Sequence, residues 1–281
     1  MEELQEKALK FSVLMPVYYK EKAEYFSVAL NSILNQTLLP NEILIIEDGK
    51  LGEDLESVVT NAECNNPDLV RVIRLEENKG IGYVRTLGIN ECKNELVAFM
   101  DSDDISSPDR FKKQIEFLRT HPNIDMVGSW ITEFDGDPSN IFSKRVLPVK
   151  PDDVYKFAKF RMPVNNVTLF FKKSPIINVG GYEIKTGFED YHLCGKLLNC
   201  GYKIANIPDF LVNVRAGREM MNRRKGFKYF IKYEYSCMKS FYDIGFINIW
   251  EFLRNISLKL LLRIMPDWMR NLIYINFLRS K

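Results

Sequence analysis

The chain has no uninterrupted apolar run near the eighteen or so residues needed to cross a bilayer. It has two histidines, and its five cysteines (Cys64, Cys92, Cys194, Cys200, Cys237) include no CxxC pair. A zinc site and a disulfide framework are therefore not expected, and the cysteines read as reduced thiols of a cytoplasmic protein. The N-terminal stretch MEELQEKALKFSVLMPV is acidic and lacks an apolar run before the first strand-like segment, which argues against a signal peptide. Basic and acidic residues nearly balance, 39 against 37, so the overall charge gives no reason to expect nucleic acid as a partner. There is no internal repeat and no low-complexity tract.

What is present is an alternation. FSVLMPV, EILIIED, RVIRL and ELVAFMD have strand composition, and DMVGSWITEF and NVTLFF continue the series. Between them, Phe26, Leu30, Ile33 and Leu34 recur at helical spacing, GIGYVRTLGINECK reads as a helix, and Phe111, Ile115 and Leu118 share a face. That last helix is expected to start at Ser107 and Pro108 and to stop near His121. Such alternation implies crossover connections and a mostly parallel sheet covered by helices, with ligands bound beyond the carboxyl ends of its strands. Three polar clusters fall at such ends: Pro16-Val17-Tyr18, Glu47-Asp48-Gly49 and Asp101-Ser102-Asp103-Asp104.

The third cluster places like charges together. Residues two apart at a strand end point the same way, so Asp101 and Asp103 can face one ligand. Carboxylate oxygens suit Mg²⁺ or Mn²⁺, which fill their shells with water and substrate phosphates, and the implied ligand is a nucleoside diphosphate. A solvated acidic turn is the plainer alternative. A calcium loop starting at Asp101 fails, because Ser106 stands where glycine is required and Lys112 where glutamate is required. A phosphatase with Asp101 as nucleophile would leave Glu47 and Asp48 without a role.

A second acidic pair, Glu189-Asp190, opens a segment in which Leu193, Cys194, Leu197 and Leu198 form a helical apolar face ending at Gly201. On composition alone the pair is explained by the preference of carboxylates for a helix N-terminus. His192, two positions from Asp190, does not share its face and reads as an exposed helix residue, with acceptor contact the lesser reading. His121 reads as a helix end.

FSVLMPVYYKE, EILIIEDGK, ENKGIGYVRTLGI, LVAFMDSDD and GFEDYHLCGKLLNCGYK occur in this order over residues 11 to 220. The order and spacing resemble the inverting family-two glycosyltransferases of GT-A fold, in particular those of bacterial surface polysaccharide assembly. The resemblance implies an α/β fold with a Rossmann-like nucleotide-binding mixed sheet flanked by helices. It implies a glycosyltransferase domain over 1–221 (nucleotide half 11–105, acceptor half 106–221) and a helical appendage over 222–281. Pro16, Val17 and Tyr18 would line the nucleotide pocket, and Glu47 and Asp48 would read the base or ribose. Lys79, Gly80 and Arg85 would lie near the base and diphosphate. Asp101 would contact the ribose, with Ser102 beside it, and Asp103 the metal; Asp104 would be structural. Asp190 would be the catalytic base, with Glu189, His192 and Asn166 on the acceptor side. Arg215, Arg218 and Arg224, in VRAGREMMNRR after another expected strand end, are candidates for closing over the diphosphate, with an ordinary solvated basic loop the alternative for each. Glu47 in place of the usual Asp, and Thr86 in place of the usual Asn after Arg85, leave open which acidic residue touches the base.

The implied reaction is metal-dependent transfer, with Mn²⁺ or Mg²⁺, from a nucleotide-sugar, by family habit a UDP-sugar, to a glycan or lipid-linked acceptor. A sugar nucleotidyltransferase is disfavoured because MPVYYKEKAEYF contains no glycine; a non-catalytic nucleotide-sugar sensor or scaffold is the remaining alternative. From Ile247 onward the sequence holds six Lys or Arg against Glu251 and Asp267, with Trp250, Phe252, Leu253, Ile256, Leu260, Leu261, Trp268 and Ile273 among Arg254, Lys259, Arg263 and Arg270. This pattern suits an interfacial helix on anionic lipid at the inner face of the cell membrane. Core or dimer-contact helices are the alternative, and a homo-oligomer is left open.

Overall fold

The computed structural model describes residues 9–182, 188–216 and 230–265. The first half alternates as the periodicity predicts: β1 (Phe11–Val17), α1 (Ala23–Leu34), β2 (Glu42–Glu47), α2 (Glu53–Asn65), β3 (Val70–Arg74), α3 (Ile81–Glu91) and β4 (Leu96–Phe99). Then follow β5 (Ile105–Ser106), α4 (Arg110–Thr120), β6 (Met126–Phe134), β7 (Ile141–Arg145), α5 (Pro151–Ala158), β8 (Phe170–Lys172), α6 (Lys173–Asn178), α7 (Glu189–Asn199) and β9 (Ile204–Arg215). Past 230 come a short π-helical turn, Phe230–Tyr235, then α8 (Ser236–Asp243) and α9 (Ile249–Ile264).

The nine strands among the described residues form one mixed sheet in the order β3-β2-β1-β4-β8-β6-β9-β5, with β7 on β6. β1 pairs in parallel with β2 and β4, and β2 with β3. β8 runs antiparallel to both β4 and β6, which makes β6 and its parallel partner β9 point the same way as β4. The carboxyl ends of β1, β2, β4 and β9 therefore share one edge, and the polar clusters gather there.

The sheet's two faces carry separate cores. Leu14, Leu44 and Ile46 pack under α3, α7 and α8, whereas Val13, Ile43 and Ile45 pack under α1, α2 and α4. Strands buried on both faces read as continuous apolar runs, which is why FSVLMPV and EILIIE carry so few polar residues. α4 begins at Arg110 rather than at Pro108, because the carbonyls of Ser107 and Pro108 accept from Gln36 Nε2 (2.6 Å) and from the Thr37 amide (2.9 Å).

The C-terminal helices pack into the same core as α7. Cys237, Met238, Phe241, Phe246 and Ile247 are buried with Tyr191, Leu193 and Leu197. Phe241 meets Tyr191 edge-on at 4.8 Å and sits over Gly195. His192, expected to be exposed, is 1% exposed. Its Nε2 pairs with Ser240 Oγ and its ring stacks on Phe241. The helical reading of α7 took one apolar face, but α8 covers a second face that only the tertiary fold reveals.

A methyl at Gly195 would overlap the Phe241 ring, which is fully buried and held edge-on by Phe246 at 5.1 Å. Gly195→Ala is therefore expected to cost about 1–3 kcal/mol by overpacking. Urea unfolding should show a lower midpoint at unchanged m-value; an unchanged midpoint would mean that α8 moves away without penalty.

Candidate active site

Asp101 to Asp104 form the turn that leaves β4, and each carboxylate meets a different environment. Asp101 Oδ1 accepts from Arg85 Nη2 at 3.3 Å. Asp104 is buried and accepts from the Arg215 amide at 2.9 Å, and burial beside Asp103 and Asp101 drives its carboxyl well above the usual carboxylate range. Beneath it Arg110 is fully buried, donating to the Phe99 carbonyl at 2.6 Å and to Gln114 Oε1 at 3.1 Å. Burial pushes its guanidinium down to about 9, against the pull of Asp104 and Asp101. Asp103 is pushed up to about 6, by burial first and then by Asp101 and Glu21.

Glu21 and Arg110 are site residues that the sequence did not reveal. Glu21 Oε2 accepts from Ser102 Oγ at 2.5 Å, fastening the loop after β1 to the aspartate turn. A single glutamate in a polar loop carries no periodic signal. Arg110 lies on the buried face of α4, beside Phe111.

The loop before α3 is held by Asp48. Its Oδ1 accepts from the Lys79 amide at 2.6 Å and its Oδ2 from the Gly80 amide at 3.0 Å. Gly80 has φ +87°, a left-handed conformation that glycine adopts without strain, and it starts the helix that carries Arg85. The Lys79 side chain is exposed and pairs with Glu77 at 2.8 Å. Glu47 faces the other side of β2, where Arg74 Nε lies 3.3 Å away, and burial with Glu56 nearby pushes it up to about 7. Pro16 and Val17 are buried in β1; Tyr18 stands exposed at its end.

Arg85 joins the two halves of the site. Besides Asp101 it meets the Asn166 amide oxygen, once that amide is turned to its satisfied orientation, at 2.8 Å from Nη2 and 3.3 Å from Nη1. Its guanidinium lies 5.6 Å from the Phe99 ring and 5.7 Å from the Tyr182 ring, two rings that contact each other at 5.9 Å. Burial would depress it, but Asp101, Tyr182, Asp190 and Glu189 hold it above its ordinary value. Asp190 and Glu189, in the first turn of α7, are thus among the charges that act on Arg85. Asp190 Oδ1 accepts from the Tyr191 amide at 2.8 Å, and the buried Tyr182 hydroxyl beside Arg85 has no hydrogen-bond partner among the described residues.

Arg215 closes the far wall. Its guanidinium lies over Tyr25 (3.9 Å) and Phe134 (4.7 Å) and donates to the carbonyls of Asp103 (3.3 Å) and Gly136 (3.2 Å). Arg218 and Arg224 lie outside the described residues. His192, turned to Ser240 under α8, is not brought to the crevice.

Among the described residues no group of three His, Cys, Asp or Glu side chains is arranged to hold a metal. Asp101 and Asp103 supply two hard oxygen donors, which fits a cation that takes one or two carboxylates and completes its shell with water and diphosphate. It does not fit a calcium or zinc cage.

Residues 12–180 match the model of the family "Glycosyl transferase family 2", and the chain belongs to that family and is a glycosyltransferase. It is similar to the amylovoran biosynthesis glycosyltransferase AmsE of Erwinia amylovora, 37% identical over 85% of this chain and 89% of the relative. It is also similar to the Escherichia coli UDP-Gal:alpha-D-GlcNAc-diphosphoundecaprenol beta-1,3-galactosyltransferase, 35% identical over 96% and 97% of the two chains. Among solved structures, the Pyrobaculum calidifontis mannosyltransferase PcManGT in complex with GDP-Man and Mn²⁺ superposes with a TM-score of 0.62 at 16% identity, over 93% of this chain and 72% of that one. That likeness supports the GT-A fold.

The raised Asp103 predicts a pH dependence. In the folded, metal-free protein its proton stays on to about pH 6, whereas in the unfolded chain it leaves near pH 4. The folded state binds the extra proton between those values, so the Asp103 contribution to stability falls as pH rises from about 4 to 6. Urea unfolding in EDTA should show Asp103→Asn gaining on the wild type across that window. A constant difference would contradict this.

Proposed function

We propose that the protein is an inverting, divalent-cation-dependent glycosyltransferase that moves a sugar from a UDP-sugar to a hydroxyl of a lipid-linked glycan in surface polysaccharide synthesis. The observation carrying this reading is Arg85, which ties the carboxylate at the end of β4 to Asn166 within electrostatic reach of Asp190. Nucleotide side and acceptor side are thereby joined by one buried cation. The printed activities of the relatives, a UDP-galactose donor and a diphosphoundecaprenol-linked acceptor, support the donor and acceptor classes. The Mn²⁺ in the PcManGT complex supports the cation.

In this reading the acceptor hydroxyl attacks the anomeric carbon from the side opposite the nucleotide. Asp190 accepts the hydroxyl proton as the new C–O bond forms, and the bond from the anomeric carbon to the diphosphate oxygen breaks. One displacement inverts the anomeric centre, so one base suffices and no covalent sugar intermediate forms. A bound Mn²⁺ or Mg²⁺, held by Asp103 and Asp101, would offset charge on the departing diphosphate. Arg85 keeps Asp101 in place and turns the Asn166 amide so that its NH₂ can donate to an acceptor hydroxyl. Asp48 presents the Lys79–Gly80 backbone to the nucleotide, which assigns Asp48 to shaping the pocket and leaves Glu47 facing Arg74. Arg215 holds the aspartate turn from the diphosphate side. The acceptor's lipid locates the reaction on the inner face of the cell membrane, with the enzyme peripheral to it.

Asp190→Asn should lower turnover at least about 100-fold while calorimetric UDP affinity stays within twofold of the wild type. The assay uses UDP-sugars and a polyprenyl-diphosphate-linked N-acetylhexosamine. NMR of the product should show the anomeric configuration opposite to the donor's. Retained turnover in the variant, or a retained configuration, would rule this mechanism out.

A further inference from the structure

Among the described residues, twenty large hydrophobic side chains are exposed, and eight of them fall between Ile231 and Leu261. The densest part is one stripe of α9. Positions 250, 253, 254, 257, 258 and 261, spaced three and four apart, share a helical face. They are Trp250 (77% exposed), Leu253 (49%), Arg254, Ser257, Leu258 (43%) and Leu261 (52%). An ordinary surface helix would place charged residues along this face.

The rest of α9 is already partnered. Phe252 and Ile256 pack on the core, and Asn255 is buried, donating to the Lys159 carbonyl at 2.7 Å. Glu251 pairs with Lys159 at 3.0 Å and Arg263 with Glu234 at 2.7 Å. The helix's acidic residue is thus turned to the protein, and Arg254 is the charged member of the outward stripe.

We propose that this stripe is the surface by which the enzyme rests on an anionic bilayer, with α9 lying in the interface plane and Trp250, Leu253, Leu258 and Leu261 facing the acyl boundary. The proposal deepens the lipid-linked acceptor reading and rests on it for its purpose. Two observations favour a bilayer over a protein partner. The charge is complementary: the outward stripe carries Arg254 and no acidic residue, and the cytoplasmic leaflet is anionic. The patch is small, since sixteen residues make a helix about 24 Å long and roughly 10 Å wide. That footprint is well below the roughly 800 Å² per partner of a stable protein interface, whereas a bilayer needs no shape complement.

The placement serves the reaction. Asn255 Nδ2 of α9 touches Met238 Sδ of α8 at 3.5 Å, and Ser240 and Phe241 of α8 hold α7, whose first turn carries Asp190. The membrane face and the proposed base are thereby connected through two packed helices, which fixes the height of the base above the lipid surface.

The test is flotation of the full-length protein with phosphatidylcholine vesicles, with and without 30% or so phosphatidylglycerol, a composition within the anionic range of such leaflets. The native protein should float with the anionic vesicles, and the double variant Trp250→Glu, Leu261→Glu should partition at least tenfold less. Trp250→Ser, a milder change, should lose less, and all forms should bind UDP equally by calorimetry, showing that they are folded. Flotation of the double variant at the native level would overturn the proposal, as would native protein that fails to float. Native dimers by light scattering that the double variant splits, with no vesicle binding by either, would assign the stripe to a second copy and also overturn it. The vesicles hold no acceptor, so an error in the lipid-linked acceptor reading would show only in the transfer assay.

Discussion

The structure is organised around the concentration of negative charge where β4 ends. Asp101, Asp103 and Asp104 lie within four consecutive positions, and Glu21 is brought beside them through Ser102. Burial first, and then the neighbouring carboxylates, push Asp103 to about 6 and Asp104 well above the carboxylate range. The fold answers with three arginines, each from a different element: Arg85 of α3 on Asp101, Arg110 of α4 beneath the turn, and Arg215 of β9 behind it. Removing one partner of such a cluster leaves an uncompensated buried charge, so the cluster constrains the positions of all three elements.

That compensation is incomplete by design of the geometry, and the remainder lies on Asp103. Asp101 has Arg85, and Asp104 has the Arg215 amide with Arg110 below. Asp103 has Arg215 only through its own backbone carbonyl and as a weaker electrostatic influence. A divalent cation with a diphosphate would complete the charge balance at the residue where the described residues do not. The same arrangement explains why the site sits at the β-strand carboxyl edge and why Arg85, reaching across to Asn166, can couple the two halves of the crevice.

Much of this was legible in the sequence. Strands buried on both faces announce themselves as unbroken apolar runs, and the polar clusters that end β1, β2 and β4 do gather along one edge of the sheet. What was not legible depended on contacts between distant segments. Glu47 and Asp48 look interchangeable in sequence, yet the pleat sends Glu47 to Arg74 and Asp48 to the Lys79 and Gly80 amides. Arg110 shows no mark of burial because its partners, the Phe99 carbonyl and Gln114, are ordinary residues. His192 does not share the face of Asp190 and so reads as exposed, and the surface that buries it exists only after α8 docks. Likewise the basic residues of α9 divide into an exposed Arg254 and a paired Arg263 only once Glu234 is placed.

The most direct test of this account is calorimetric binding of UDP to the full-length protein with Mn²⁺, with EDTA, and in the Asp103→Asn variant. The account predicts binding that requires the metal and is lost or weakened at least tenfold in the variant. Binding of equal strength in EDTA or in Asp103→Asn would contradict it, because the carboxylates would then be gathered at β4 for something other than a cation and its diphosphate.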